Sequence, residues 1–447
     1  MRFLYCMALV AATLSVGSAD AQNKAKTIDS VMMLYQKQGS FNGSVLVYQY
    51  GRPVLVKGYG YRDLSKKLLN DSNTVFQIGS VTKTFTATII LMLQEQGKLN
   101  VKDKLAKYFP DYPDGDKITI ENLLTHTSGI YNYTEDTAFG RQGLFAHRSR
   151  KEMISLFKDK ISGIEPGTTF YYSNSNYLLL GYIIEDLTHK SYHTALRSMI
   201  LEPLGMKNTG CDFARLNNKN KATGYFSIDD NFGDVAPLVD SSVSYAAGCI
   251  YSTVSDLNKW ANAVHAGLLM TKESWKQAHT IYKQNYGYGW MLGEVSGKKS
   301  IGHNGGIHGF VANLFLMPDD ASTIVLVSNN MENEQSQIRR NITSILNDKS
   351  PDLPTFRQEI KPDVTVLKKY VGEYILAPGF SITISEAEGK LFAQATGQPK
   401  LRLYAERNNL FFFKVVDAEI NFLTNDNSVV DRLTLKQNGR LMTAVKK

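Results

Sequence analysis

Strand-like alternation brackets a long helical stretch in this chain, and that arrangement restricts its fold more than any other feature. Early on, Ser44 to Tyr50 and Val54 to Tyr61 alternate apolar and polar residues around Gly51-Arg52-Pro53, which predicts a β-hairpin. Alternation returns late, in Tyr288 to Val295, Lys299 to His303, Gly309 to Met317 and Thr323 to Ser328. Mixed helical and loop segments fill the region from Lys98 to about Lys272. An isolated hairpin is marginally stable in water, so strands from both ends must meet in one sheet. The expected class is α/β (α+β): an antiparallel sheet flanked by helices, with a helical insertion.

The character changes after Lys349 to Asp363, where Pro351, Pro354 and Pro362 fall within a polar stretch. Beyond it, short strands punctuated by Glu388-Gly389, Asn408-Asn409, Asp426-Asn427 and Asn438-Gly439 predict an all-β barrel or sandwich of at least seven strands. The first 21 residues have the order of a cleaved export signal. Arg2 supplies the positive end, Phe3 to Val16 the apolar run and Ala19-Asp20-Ala21 the small residues at the cleavage site. The expected domains are thus a signal peptide at 1–21, a main domain at 22–348, a linker at 349–364 and a β-domain at 365–447.

Export predicts a periplasmic or secreted protein, and no later run is long and apolar enough to span a bilayer. Cys6 lies too early to be lipid-modified. Cys211 and Cys249 remain after cleavage, either as a disulfide or as buried free thiols, and neither their number nor their spacing suits a metal. The net charge of +8 is spread along the chain, which argues against a nucleic-acid partner. Oligomeric state is not readable from the sequence.

Chemistry enters at Ile78-Gly79-Ser80-Val81-Thr82-Lys83, where a strand-like segment meets the apolar helix Thr82 to Gln96, stopped by Gly97. At helical spacing Ser80 and Lys83 share a face, so the amine can activate the hydroxyl once its pKa is lowered. The S-x-x-K pattern occurs three times. Ser155 to Lys158 lies in a charged surface helix and Ser296 to Lys299 in a hairpin turn, so only Ser80 sits at a strand-to-helix junction. Alone, Ser80 also fits a plain helix cap.

Two further patterns supply partners. Tyr172-Ser173-Asn174 is the single Y-x-N of the chain. Tyr172 acts as a base or acid if a neighbouring positive charge favours its phenolate, and Asn174 suits holding a substrate amide and orienting Lys83. The same residues also fit a Tyr/Asn-rich loop capping the helix Tyr177 to Leu187. Gly302-His303-Asn304-Gly305-Gly306 ends a strand and lets substrate approach a bare edge, with the Gly306 N–H as an oxyanion donor beside that of Ser80. His303 is a candidate donor to substrate. A Gly-rich hairpin with a surface histidine is the plainer account.

Together, Ser80-x-x-Lys83, Tyr172-x-Asn174 and His303-x-Gly305 resemble the serine β-lactamase and penicillin-binding-protein superfamily, closest to its class C β-lactamase-like branch of D-peptidases and esterases. Leu123 to Ile130, Pro166-Gly-Thr, Pro203-Leu-Gly-Met206 and Gly305 to Phe310 support the likeness over about residues 30–345. Tyr370 to Tyr374, Leu391 to Pro399 and Gln437 to Gly439 resemble an appended lipocalin-like β-domain. The resemblance implies acyl transfer through Ser80, with Lys83 and Tyr172 sharing its proton. Ser80 and Gly306 would hold the oxyanion and Asn174 the acyl side chain, with no metal or organic cofactor. Glu165 precedes Tyr172, the wrong order for a deacylating glutamate.

Many relatives carry lysine where His303 stands. Histidine is shorter and mostly neutral, so peptides, amides or esters are favoured over β-lactams. The leading reading is an exported serine hydrolase of small-molecule or peptide substrates, D-amino-acid peptides among them. A carboxylesterase, a weak β-lactamase and a non-turnover penicillin- or muropeptide-binding sensor are the rivals. His308 is a loop residue or reaches the pocket mouth, and His126 is a structural turn, not a second base. Tyr131 and Tyr133 are candidates for the cleft wall, and Trp260, Trp275 and Trp290 for the core.

Overall fold

The computed structural model describes residues 21–447 except 137–138, 140–142, 161–162, 229–232, 354–358, 399, 414–417 and 438–439. The predicted signal peptide (apart from Ala21) and the Asn438-Gly439 turn lie outside the described residues. Two compact units form, one from residues up to 37 together with 41–352, the other from 38–40 with 353–447.

In the larger unit, β1 (Gly43–Gln49) and β2 (Arg52–Tyr59) make the early hairpin. Tyr50 and Gly51 occupy its turn with φ of 53° and 69°, so Pro53 stands inside β2 and not in the turn. A proline is tolerated there because β2 is an edge strand. The late strands are β3 (Met291–Val295), β4 (Lys298–Ile307), β5 (Phe310–Met317) and β6 (Ser322–Ser328). The sheet runs β2-β1-β6-β5-β4-β3, antiparallel throughout. Pairing of β1 with β6, from Gly43↔Ser328 to Tyr48↔Thr323, joins the two ends of the domain as the alternation predicts.

Side-chain alternation divides the sheet between two cores. Val45, Val47, Ile324 and Leu326 pack with the helix α1 at 21–37. Leu46, Val325 and Val327 face the opposite core, built largely from α2 (Thr82–Glu95), α3 (Asn174–Thr188) and α5 (Val254–His265), with α4 (Ser241–Gly248) between α3 and α5 in sequence. Helix α6 (Gln335–Leu346) closes the α1 side through Ile338 and Ile342. The three tryptophans are core, and Trp260 stacks on Phe85 with centroids 4.4 Å apart. Cys211 and Cys249 are buried free thiols.

The smaller unit opens with α7 (Val364–Tyr370). Eight strands follow, β7 (Gly372–Ala377), β8 (Phe380–Ala387), β9 (Lys390–Ala395), β10 (Leu401–Ala405), β11 (Leu410–Phe412), β12 (Ala418–Thr424), β13 (Val430–Gln437) and β14 (Arg440–Lys446). They close into an antiparallel barrel, which resolves the choice between barrel and sandwich. Leu367 and Tyr370 join Tyr374, Leu391, Phe411, Phe422 and Leu433 in its core.

Candidate active site

The expected strand before Ser80 shortens to Phe76–Gln77, and a single 3-10 turn, Gly79–Val81, leads into α2. Gly79 has φ 49°, and a Cβ there would lie 2.7 Å from the Gly306 nitrogen, so this turn presses directly on β4. The cap residue of α2 is Val81, with no side-chain cap bond. Ser80 is therefore not a plain helix cap.

Its hydroxyl meets Lys83 instead. Lys83 Nζ lies 2.9 Å from Ser80 Oγ, 2.8 Å from Asn174 Oδ1 and 2.9 Å from the Ala247 carbonyl. Lys83 is fully buried, and burial drives its pKa well below that of a free lysine. A neutral amine carries two hydrogens and one lone pair. The two oxygens that only accept, on Asn174 and Ala247, take the hydrogens and leave the lone pair to the Ser80 O–H.

Tyr172 ends the loop before α3, and its phenol stands near the Ser80 hydroxyl. The Lys83 Nζ stands 4.9 Å from the centre of its ring. Burial raises the Tyr172 pKa, and the nearby Ser80 hydroxyl only partly offsets it. Burial thus disfavours both charges, the ammonium of Lys83 and the phenolate of Tyr172.

Helix α3 begins at Asn174, three residues ahead of the predicted start, which aims its amide at Lys83. The side-chain amide nitrogen donates to Thr134 Oγ1 at 3.2 Å and Asn132 Oδ1 at 3.4 Å. Asn174 thus meets Lys83 through its amide oxygen, while its amide hydrogens are engaged within the protein. Of the two tyrosines expected at the cleft, Tyr133 is core and donates to the Val243 carbonyl.

Strand β4 does not end at the glycines but continues to Ile307, held by β5 up to Ile307↔Phe310. Its other neighbour, β3, pairs only as far as Gly302↔Met291. Past that point β4 lies against Ile78 to Ser80: a Cβ on Gly305 would fall 1.9 Å from the Ile78 carbonyl oxygen and 3.1 Å from the Ser80 nitrogen. Gly306 has open space at the same test.

His303 is buried, not a surface residue. Its Nδ1 donates to the Asn304 carbonyl at 2.5 Å, so Nε2 accepts from the Tyr286 hydroxyl at 2.8 Å. Burial pushes its pKa down to about 3. With both nitrogens taken by the protein, the ring has no hydrogen bond to offer substrate in this arrangement. His308 packs between Phe145 and Phe226.

Sequence reasoning did not single out Gly79, Ala247 or Tyr286. Ala247 acts through a carbonyl that any residue has, and Tyr286 through a contact across the fold. Only Gly79 carried a signal, as a glycine immediately before the candidate nucleophile. The decoys separate cleanly: Ser155 Oγ donates to the Glu152 carbonyl, and Ser296-Gly297 forms the β3–β4 turn. Among the described residues, no cluster of three His, Cys, Asp or Glu is placed to hold a metal, and no helix is long and apolar enough to cross a membrane.

A family profile described as Beta-lactamase matches residues 25–346, and one described as a domain of unknown function (DUF3471) matches 357–444. Penicillin-binding protein 4* of Bacillus subtilis is 26% identical over 91% of this chain and 95% of its own. Teichoic acid D-alanine hydrolase of Staphylococcus aureus is 29% identical over 73% of this chain and 79% of its own. An octameric penicillin-binding protein homologue from Pyrococcus abyssi superposes with a TM-score of 0.66 at 25% identity, covering 94% of this chain and 99% of its own. A match across most of the chain, on a fold that gathers a serine, a buried lysine and a tyrosine, makes this protein a member of the Beta-lactamase family of serine hydrolases.

Proposed function

We propose that this protein is exported and hydrolyses D-alanyl or related D-amino-acid amides and esters through an ester formed on Ser80. The observation that carries this reading is the buried Lys83 Nζ 2.9 Å from Ser80 Oγ, with the Tyr172 ring 4.9 Å from the same amine. Ser80 Oγ attacks the substrate carbonyl as its proton passes to Lys83 Nζ. The leaving amine or alcohol takes the phenol proton of Tyr172, which the Lys83 ammonium then replaces. The Ser80 and Gly306 N–H groups hold the oxyanion, a pairing supported by the close approach of Gly79 and Gly305 across the same gap. Water attacks the ester by the reverse route, its proton passing through Tyr172 to Lys83 and on to the departing Ser80 oxygen.

The substrate class follows from His303. Neutral, with both nitrogens engaged, it supplies no cation for a substrate carboxylate. That favours uncharged groups beside the scissile bond over carboxylate-bearing β-lactams. The likeness to a teichoic acid D-alanine hydrolase fits a D-alanyl ester, and the candidate signal at 1–21 fits a substrate in the cell envelope.

The test compares the protein with Ser80→Ala using a fluorophosphonate probe, then D- and L-alanyl nitroanilides, a D-alanyl ester and a chromogenic cephalosporin. Labelling confined to the unmodified protein, with D-alanyl substrates turned over at least ~10-fold faster than the rest, is expected. Equal labelling of Ser80→Ala rejects the nucleophile, and faster cephalosporin turnover rejects the substrate class.

A further inference from the structure

His126 grips the chain on both sides of Tyr172. Its carbonyl accepts the N–H of Tyr171 at 2.8 Å, and its Nδ1 accepts the N–H of Ser173 at 3.1 Å. Its ring lies 4.2 Å from the Tyr172 ring, tilted by 33°. To do this His126 adopts φ 55°, a left-handed conformation that few residues besides glycine take readily. Strain of that kind persists where the surroundings enforce it, and it gathers at functional sites.

Because Nδ1 accepts a backbone N–H, the ring proton sits on Nε2. That N–H is buried without a hydrogen-bond partner among the described residues. Around it stand the rings of Phe170, Tyr172, Tyr177 and Tyr286. An apolar side chain would fill this aromatic cage, but it would lose the acceptor that holds the Ser173 N–H and that also lies 3.3 Å from Asn176 Nδ2. The titratable groups about it are Lys83, His303 and the three tyrosines. Burial holds the ring's pKa well below that of a free histidine, which disfavours a second proton on it.

We propose that His126 is a positioning residue for Tyr172: it sets the phenol against Ser80 Oγ and never touches substrate. This inference rests on the proton-transfer role proposed for Tyr172.

A double-mutant cycle separates the two ideas. His126→Ala, His126→Asn and Tyr172→Phe are made singly, and each His126 change is combined with Tyr172→Phe. Each variant is checked for folding by circular dichroism, then assayed for kcat, KM and the pH profile of kcat on the D-alanyl ester. His126→Ala is expected to lower kcat by about 30- to 100-fold, with KM within about twofold and the kcat profile displaced in pH. Asparagine keeps an acceptor near the Nδ1 position and tolerates φ 55°, so His126→Asn recovers several-fold of the loss. In the Tyr172→Phe background, His126→Ala costs less than about threefold more. A folded His126→Ala with unchanged kcat, or the same loss in both backgrounds, overturns the proposal. Should the alanine variant not fold, the asparagine variant carries the cycle with the same two criteria. Full activity of Tyr172→Phe alone defeats the underlying function and this inference with it.

Discussion

Lys83 is met by three oxygen atoms, of a hydroxyl, an amide and a backbone carbonyl, none of them a carboxylate that would balance a cation. Its value as a base lies in losing the proton, which arginine cannot do. Lys83→Arg is expected to reduce kcat by about 10³-fold or more, measured by single-turnover acylation. As pH falls, the lone pair that serves Ser80 is consumed, so the acylation rate of the unaltered protein declines on the acid side. The titration midpoint belongs well below that of a free lysine. Tyr286 offers a second test at this scale. Tyr286→Phe strips Nε2 of His303 of its donor inside the core, at a cost of about 1–3 kcal/mol in urea denaturation. An unchanged midpoint there would break the assigned tautomer. Ser80, Lys83 and Tyr172 were legible because their chemistry has a fixed spacing or order. The partners that hold them were not, because contacts such as Tyr286 to His303 and Lys83 to Ala247 exist only after the chain has folded.

The junction between β4 and the turn at Gly79–Val81 does for the backbone what α2 does for the side chains. Adjacent glycines on β4 face different surroundings there. Gly305 meets the Ile78 carbonyl at a distance no Cβ can share, whereas Gly306 faces open space. Gly305→Ala must push the turn carrying Ser80 away, and is expected to lose about 1–3 kcal/mol of stability together with acylation. Gly306→Ala should melt within about 0.5 kcal/mol of the unaltered protein. Equal destabilisation of the two, read by thermal melts, would show that the close approach is not made at Gly305. The alternation of β1, β2 and the late strands was readable because one face of each is committed to a core. Its limits were less so. The glycines weaken strand propensity and mark an apparent end to β4, yet pairing with β5 carries the strand through them. Likewise the apolar run marks α3 only from Tyr177, while the polar residues Asn174 to Asn176 form its first turn.

At the scale of the molecule, each of the two units encloses its own hydrophobic core. All eight histidines of the chain fall between His126 and His308, in the larger unit, and residues 353–447 contain none. Burial lowers the pKa of five of the eight, His126, His265, His279, His303 and His308, and strongly so for the three at His126, His279 (to about 4) and His303 (to about 3). An unfolded histidine titrates near pH 6.5, so between that value and the folded pKa the unfolded chain binds more protons. The stability these groups contribute is therefore complete above pH 6.5 and is lost as pH falls. Below pH 6 each of the three removes about 1.4 kcal/mol per pH unit until its folded pKa is reached. Buried Lys83 acts in the same direction wherever its folded form is neutral. The barrel has lowered carboxylates at Asp363 and Glu373, and these respond only below the unfolded carboxylate range, near pH 4. Acidification from pH 7 to pH 5 should therefore move one unfolding transition and leave the other in place. Calorimetry resolves this: the transition of the larger unit shifts to lower temperature while that of the β-barrel holds. Two transitions that fall together would mean that the units unfold as one cooperative body, and that the histidines destabilise both.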